Sequence, residues 1–476
     1  MTHWNKIGWG VAGVGLVASI MFLGNSKTRA VDEPGKRSSQ QNAGKLIVHE
    51  WGTFTSFSGS DGVQLDFRPL INEDLPDFVL DRRMQSGVPM LTKGRIRARI
   101  RMETPVTYFY TDEERTVRAS VEFPDGLLTE FYPPVVAMEP KFDGNSGRES
   151  FGKSKLDWGE IHLIPAASLA PSVKDEQTRN WLRGMIEHRV VPNDGSPGNH
   201  YYHARETDSA FVHVRHAPNS GFILKPAGDY LEKFLFYRGV GRFEQPLRAV
   251  VTENERVQVT NPGPQPIHSL FRVTVSGGVL TYSELDHLSA GATAEFPTTA
   301  TQVTLQDLQD RVAAALVREN LYPREATAMV KTWADSWFAE EGTRIFYMVP
   351  REITDKLLPL MISPAPDESV RVLVGRVEVM PPSVEKQLLE VVRVNATRRA
   401  VHNLEQAELE PQDRTTLPIP AELLKLGRLV EPALVRIREL AKDESVSWEA
   451  AVLINESRDA LDNIAQGTQS VSEASE

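Results

Sequence analysis

The 476-residue chain contains no cysteine. That absence excludes disulfides, a cysteine nucleophile, cysteine-ligated zinc and a lipid-modified cysteine anchor, and it fits an exported protein that carries no unpaired thiol. Catalytic signatures are missing too. There is no H-E-x-x-H, no nucleophile elbow, no P-loop and no dinucleotide fingerprint, so neither a metal nor a cofactor is expected. Basic charge is scarce: 64 acids outnumber 53 bases for a net charge of -11. From Val401 to Glu476 there are 15 acids and 7 bases, so 8 of the 11 excess negatives sit in that tail. No domain has the basic excess that would neutralise phosphates, which argues against a nucleic-acid partner.

What is present begins with a greasy leader. Lys6 precedes Gly8 to Gly24, an uncharged run rich in Val, Ala, Gly, Leu, Ile, Met and Phe. Its length suits a signal-peptide core and also approaches the lower limit of about 17 residues for a spanning helix. Residues 1–30 are therefore a signal peptide or an N-terminal membrane anchor, with small residues at Gly24 and Ser26, or Thr28 and Ala30, for a peptidase. Lys27, Arg29, Lys36 and Arg37 follow the run and oppose translocation of what comes after it. The expected location is still extracytoplasmic: periplasm, envelope or secreted, with residues 8–24 the anchor if uncleaved. Residues 31–44 form a flexible linker.

With 41% hydrophobic residues the remainder can bury a sizeable core. Its pattern is α+β, mainly an antiparallel β-sandwich body with an Ig-like segment, followed by an α+β region and a C-terminal helical hairpin. The boundaries fall at 45–244 for the β body, 245–300 for the Ig-like segment, 301–400 for the α+β region, 401–465 for the hairpin and 466–476 for a disordered tail. Arg95 to Phe123 alternates most clearly: Arg95, Arg97, Arg99, Arg101 and Glu103 share one face and Ile96, Ala98, Ile100 and Met102 the other, as in a meander with one wet face. The arginine stripe is either a solvated face partnered by acids such as Glu122 or a holder for an anionic ligand. Pro105 interrupts the alternation.

Short strands and turns continue from Gln245 to Phe296, a span so brief that it must borrow strands from the body. After Thr304 the period becomes helical, with Asp307 completing an N-cap, and Pro323 opens a second helix that stops at Gly342. Trp333 and Trp337 share a face of that helix as core. Ala421 to Lys442 and Val446 to Ile464 form the hairpin, a surface for homo-oligomers.

Chemistry-bearing residues cluster at four motifs. His49-Glu50-Trp51-Gly52-Thr53-Phe54-Thr55 lies in the first strand, where His49 and Glu50 diverge unless Gly52 makes a bulge. Ala204-Arg205-Glu206-Thr207-Asp208 sits among Tyr201, Tyr202 and Phe211. There, either an acid serves as base while Arg205 holds an anion, or Arg205 locks a loop by pairing with a carboxylate. The third and fourth are Glu232-Lys233-Phe234-Leu235-Phe236-Tyr237-Arg238-Gly239 and Trp337-Phe338-Ala339-Glu340-Glu341-Gly342-Thr343-Arg344. Together these motifs resemble a family of large, predicted exported bacterial proteins without an assigned activity, over residues 45 to 380.

The candidate catalytic residues are His49, Glu50, Glu206 and Asp208, and the candidate ligand holders are Arg205, Lys233 and Arg238. His200, His203, His213 and His216 are the densest histidines, but their spacing puts them on different faces and does not make a metal site. Glu340 and Glu341, adjacent at a helix end, diverge too. Two function classes follow. One is a non-catalytic envelope or surface protein that binds a polymer or protein partner. The other is an extracytoplasmic hydrolase built from His49, Glu50, Glu206 or Asp208 with Arg205. Convergence of these residues in one concavity discriminates the two.

Overall fold

The first ordered strand, β1 (Ile47–Ser58), is buried along its entire length, and the largest sheet is built outward from it. The computed structural model describes residues 44–67, 75–81, 98–140, 152–166, 191–192, 199–216 and 228–457. The leader, nearly all of the linker, Arg95, Arg97, Lys174 to His188, whose pattern predicts a short amphipathic helix, most of 191–199, whose Pro, Asn, Asp and Gly predict a turn, the end of the hairpin and the tail lie outside the described residues.

In chain order the strands after β1 are β2 (Leu80–Asp81), β3 (Ile100–Tyr110), β4 (Arg115–Phe123), β5 (Gly126–Tyr132), β6 (Ala137–Glu139), β7 (Ser154–Ile164), β8 (Phe211–His216) and β9 (Gly228–Glu232). They continue as β10 (Leu235–Gly241), β11 (Arg248–Val251), β12 (Val257–Thr260), β13 (Ile267–Ser276), β14 (Val279–Leu288), β15 (Thr293–Glu295) and β16 (Thr301–Gln302). The helices α1 (Leu305–Arg318) and α2 (Pro323–Phe338) come next, then β17 (Gly342–Met348), α3 (Arg351–Leu357), β18 (Leu360–Ser363) and β19 (Glu368–Val379). The chain closes with α4 (Pro382–Ala407), α5 (Ala421–Leu424), α6 (Val430–Leu440) and a helix over 444–457.

Ten strands form one sheet in the order β16-β14-β13-β17-β19-β1-β3-β10-β5-β2, six form a second around β4 and β7, and β11, β12 and β15 form a third. Every pairing is antiparallel except the central one, β1 with β19. The class is α+β and mainly antiparallel, as the alternation predicts. The Ig-like segment is not a separate sandwich, and its partner strand comes from the region after it rather than from the preceding body: β13 pairs with β17 in the large sheet, while β11, β12 and β15 form the small one.

The expected meander takes a different path. β3 lies between β1 and β10, β4 pairs with β18 and β7 in the second sheet, and β5 returns to pair with β10. Consecutive strands thus alternate between two sheets. The short turns at 111–114 and 124–125 connect layers, so β3 is covered on both faces and has no wet side. Of the described arginines in the stripe, Arg99 pairs with Asp66 and Glu244 at the surface, while Arg101 turns inward to Glu103.

The large sheet has an apolar core on each face. On one, Val48, Phe54, Phe109 and Leu373 pack against Val121, Trp158 and Ile161 of the second sheet and Val259 of the third. On the other, Trp51, Tyr108, Phe346 and Val374 pack beneath Leu308, Val312, Met329 and Trp337 of α1 and α2. α1 starts with the capping box that Thr304 and Asp307 predict, and α2 starts at Pro323. Trp333 and Trp337 stack at 6.4 Å in the core, as expected.

A separate core joins α4, α6 and the helix over 444–457. The first helix of the expected hairpin is interrupted at 425–429, where a 3-10 turn with Gly427 at φ +51 intervenes. Its apolar stripe is packed against α4, which makes the C-terminal unit three helices rather than a simple pair.

Candidate functional site

β1 sends His49 and Glu50 to opposite faces of the large sheet. On the helix side His49 Nδ1 lies 2.8 Å from Glu325 Oε2, and Tyr110 donates to Glu325 Oε1 at 2.6 Å. Glu325 also accepts the backbone N–H of Tyr322 at 2.7 Å, so it caps α2 while orienting the imidazole. On the sandwich side Glu50 accepts from Tyr237 at 2.5 Å, Thr107 at 3.1 Å and Arg371 Nε at 2.7 Å, and Arg371 reaches on to Asp355 at 2.8 Å. Both His49 and Glu50 are fully buried.

The A-R-E-T-D motif is used structurally. Arg205 donates to Glu232 through Nη2 at 2.6 Å and Nε at 2.9 Å, with its guanidinium 4.9 Å from the Tyr202 ring centre. This is the loop-locking outcome, with Glu232 as the carboxylate. Glu206 pairs with Lys331 at 2.6 Å and His203 at 2.9 Å, and these hydrogen bonds hold its pKa below the usual carboxylate value. Asp208 pairs with Arg324. Both partners belong to α2, so the motif staples the 3-10 turn His200–Arg205 onto that helix. Lys233 directs its ammonium to the Ser209 carbonyl at 2.6 Å, over the Phe211 ring. Burial draws its pKa down to about 8, against the pull of Asp208 and Glu232.

His49, Glu50, Glu206, Asp208 and Arg205 are therefore not brought into one concavity. The strand period separates the first two, and ion pairs with other elements hold the rest. Among the described residues no group of three or more His, Asp or Glu side chains is arranged to hold a metal.

A different constellation does converge, with Arg238 on a neighbouring strand of the same sheet. The register of β1 on β3 shifts between Trp51 and Thr53, opposite Pro105, and that of β10 on β3 shifts between Phe236 and Gly239. Pro105 thus sits where a ladder N–H is not required. Beyond the bulge the helix-side face of six strands turns from apolar to charged. Thr55 stands opposite Arg376 and Arg101, Thr53 opposite Glu103, Arg344 opposite Glu378, and Arg238 opposite Glu130.

This band is tightly connected. Glu378 accepts from Arg376 Nε at 2.6 Å and Arg344 Nε at 3.2 Å. Glu103 takes Thr55 Oγ1 at 2.7 Å and faces Arg101 Nε at 2.9 Å. From the helix side Arg428, delivered by the 3-10 turn, reaches Glu340 at 2.6 Å and lies 3.8 Å from Glu103 and 3.6 Å from Glu378. Glu340 also meets Arg376 at 3.0 Å, whereas its neighbour Glu341 turns away to the backbone N–H groups of Gly277 and Gly278. That divergence follows from the helix end.

Four guanidiniums, of Arg101, Arg344, Arg376 and Arg428, face three carboxylates, of Glu103, Glu340 and Glu378. Burial opposes ionisation of Glu378, yet Arg344, Arg376 and Arg428 hold its carboxyl down at about 2. Burial and then the Arg428 charge push Arg376 down to about 10, against the pull of Glu378 and Glu340. Arg376 and Thr53 are fully buried, and Arg376 Nη1 and Thr53 Oγ1 have no hydrogen-bond partner among the described residues.

No family model matches the chain, and no curated protein matches it. Among solved structures it is similar to the Fcho1 mu-homology domain of Danio rerio with a bound peptide, at 6% identity and a TM-score of 0.26, covering 72% of this chain and 100% of that one. The yeast delta-COP-I mu-homology domain is similar at 7% identity and a TM-score of 0.23, covering 71% of this chain and 96% of that one. The same yeast domain in complex with a peptide gives 8% and 0.23, with 71% and 97% covered. Likeness at this level carries no argument about what this chain does.

The sequence holds a signal for the band that alternation alone passes over. In Val372-Leu373-Val374-Gly375-Arg376-Val377-Glu378-Val379 the charges at 376 and 378 continue the face of Val372 and Val374. Charges on a core face of a central strand mark a buried network.

Proposed function

We propose that the protein is a non-catalytic binding protein, exported or held at a membrane by its leader, which takes up a carboxylate- or phosphate-bearing ligand at the charged band. One observation carries this reading: Arg376 and Thr53 are fully buried, and Arg376 Nη1 and Thr53 Oγ1 are unpartnered among the described residues. A buried donor without an acceptor is costly, and arginine suits planar bidentate recognition of an anion that would supply one. The hydrolase alternative loses its support because His49, Glu50, Arg205, Glu206 and Asp208 each serve a different structural contact. Export rests on the leader and on the family resemblance of the four motifs.

The test is thermal unfolding of the full chain with inorganic phosphate or acetate as probe, against sodium chloride at equal ionic strength. Binding to the folded state raises stability by about 2.7 kcal/mol at a hundredfold excess over Kd. Phosphate or acetate is expected to raise Tm beyond chloride, and Thr53→Val and Arg376→Gln to abolish that rise. Thr53→Val keeps shape and charge, so it reads the site even where Arg376→Gln lowers stability. A response equal to chloride, or one unchanged in both variants, would overturn the proposal.

A further inference from the structure

α4 is apolar on two opposite sides. Its inner side packs Leu388 and Val392 into the C-terminal core, while Asn395 and Arg399 bond to Glu449 at 2.7 and 2.6 Å. Its outer side is bare: Val394 is 50% exposed, Val401 52% and Leu404 73%, and Leu409, just past the helix end, is 42% exposed. Val394 and Val401 are seven residues apart, as are Thr397 and Leu404, which is the seam spacing of paired helices. Only one of the two apolar sides is covered.

The charges beside this stripe say what covers it. Toward its start lie exposed Lys386, paired with Glu253, Arg393, paired with Glu390, and Arg398, and exposed Glu405, Glu408 and Glu410 lie at its end. A parallel partner of the same sequence would set like against like. Anionic headgroups would repel the three glutamates at one end of the stripe. An antiparallel copy matches both ends.

We propose that a second copy of this chain covers the outer face of α4 in a two-fold, antiparallel pairing centred near Val401. The two-fold sets Arg398 beside Glu405 of the partner subunit and Val394 beside Leu409 of the partner subunit, each contact made twice. A single helix pair lies at the small end of specific interfaces, below about 1,200 Å², so the dimer dissociates on dilution. This proposal is independent of the anion site, being read by mass and cross-linking rather than by anion-linked stability.

The absence of cysteine makes the test clean. Val401→Cys in the full chain is expected to form a disulfide-linked dimer of twice 53.2 kDa on mild oxidation. Val394→Cys is not, because the two copies of that position would lie about 20 Å apart, far beyond the roughly 7 Å that a disulfide spans between Cα atoms. By light scattering, Leu404→Glu should leave only monomer. Arg398→Glu should weaken dimerisation about tenfold, and the added Glu405→Arg should restore it. A monomer at every concentration, an equal cross-link at residue 394, or no rescue by the double swap would overturn the pairing. So would recruitment to anionic phospholipid vesicles without dimerisation.

Discussion

Lys233 is a cation placed where a cation is disfavoured, and the protein should report it through pH. Its folded pKa of about 8 lies below the unfolded value of about 10.4. Between those values the unfolded chain binds a proton that the folded chain does not, so stability rises as pH increases from 8 to 10.4. The full difference amounts to roughly 3 kcal/mol. Lys233→Met keeps the aliphatic stem, and its urea-unfolding profile is expected to lose that rise. A profile with the same slope in both proteins would place the titration elsewhere. The neighbouring Arg205 is of the opposite kind: bidentate to Glu232 and laid on aromatic rings, it is stabilised in its charged form. Two basic residues that look alike as ligand holders in the sequence thus differ in what their surroundings do to their charge.

At the scale of the element, local chemistry was readable and layer assignment was not. The opposed faces of β1, the bulge at Gly52, the Thr304 cap and the Pro323 start follow from spacing and residue type, and each is present. The expected meander does not form, because alternation states which face is apolar and not which sheet a strand joins. Strands β3, β4 and β5 carry hairpin-like turns, yet each crosses to another layer. The charged band escaped for a related reason: its members come from strands and turns up to 327 positions apart, Arg101 to Arg428, so no local window contains them. Likewise α4 has no single apolar face for a periodicity argument to find. The bulge itself can be tested. A Cβ at Gly52 would stand 3.0 Å from Pro105 Cα and 3.1 Å from its Cγ. Gly52→Ala is expected to cost about 1–3 kcal/mol as overpacking, and Pro105→Ala should recover part of that loss in a double-mutant cycle. Additive losses measured by urea unfolding would show that the two residues do not press on each other.

For the whole molecule, the charged band ties the sheet, the end of α2 and the C-terminal helices into one acid-sensitive joint. Glu378 is held at about 2 when folded, below its ordinary 4.5. Its contribution is complete above pH 4.5 and is lost as pH falls through that value toward 2. Replacing it leaves Arg344 and Arg376 buried without their shared carboxylate, a loss of about 3–5 kcal/mol at neutral pH. Glu378→Gln should therefore unfold at lower urea at pH 7 and show a shallower decline between pH 4.5 and 2. Equal acid profiles for the two proteins would mean the joint is held by something other than this charge.

The parallel pairing at the sheet's centre has its own bearing on how such a chain is made. Ile47 meets Glu368 and Ser58 meets Val379, so the seam closes across more than three hundred residues. Until β19 has been synthesised, β1 can pair only along its β3 edge, so the other edge of this twelve-residue strand waits for almost the entire β body to leave the ribosome. The largest sheet is thus completed from its two halves only at the end of synthesis, when the last strand fills the open edge of the first.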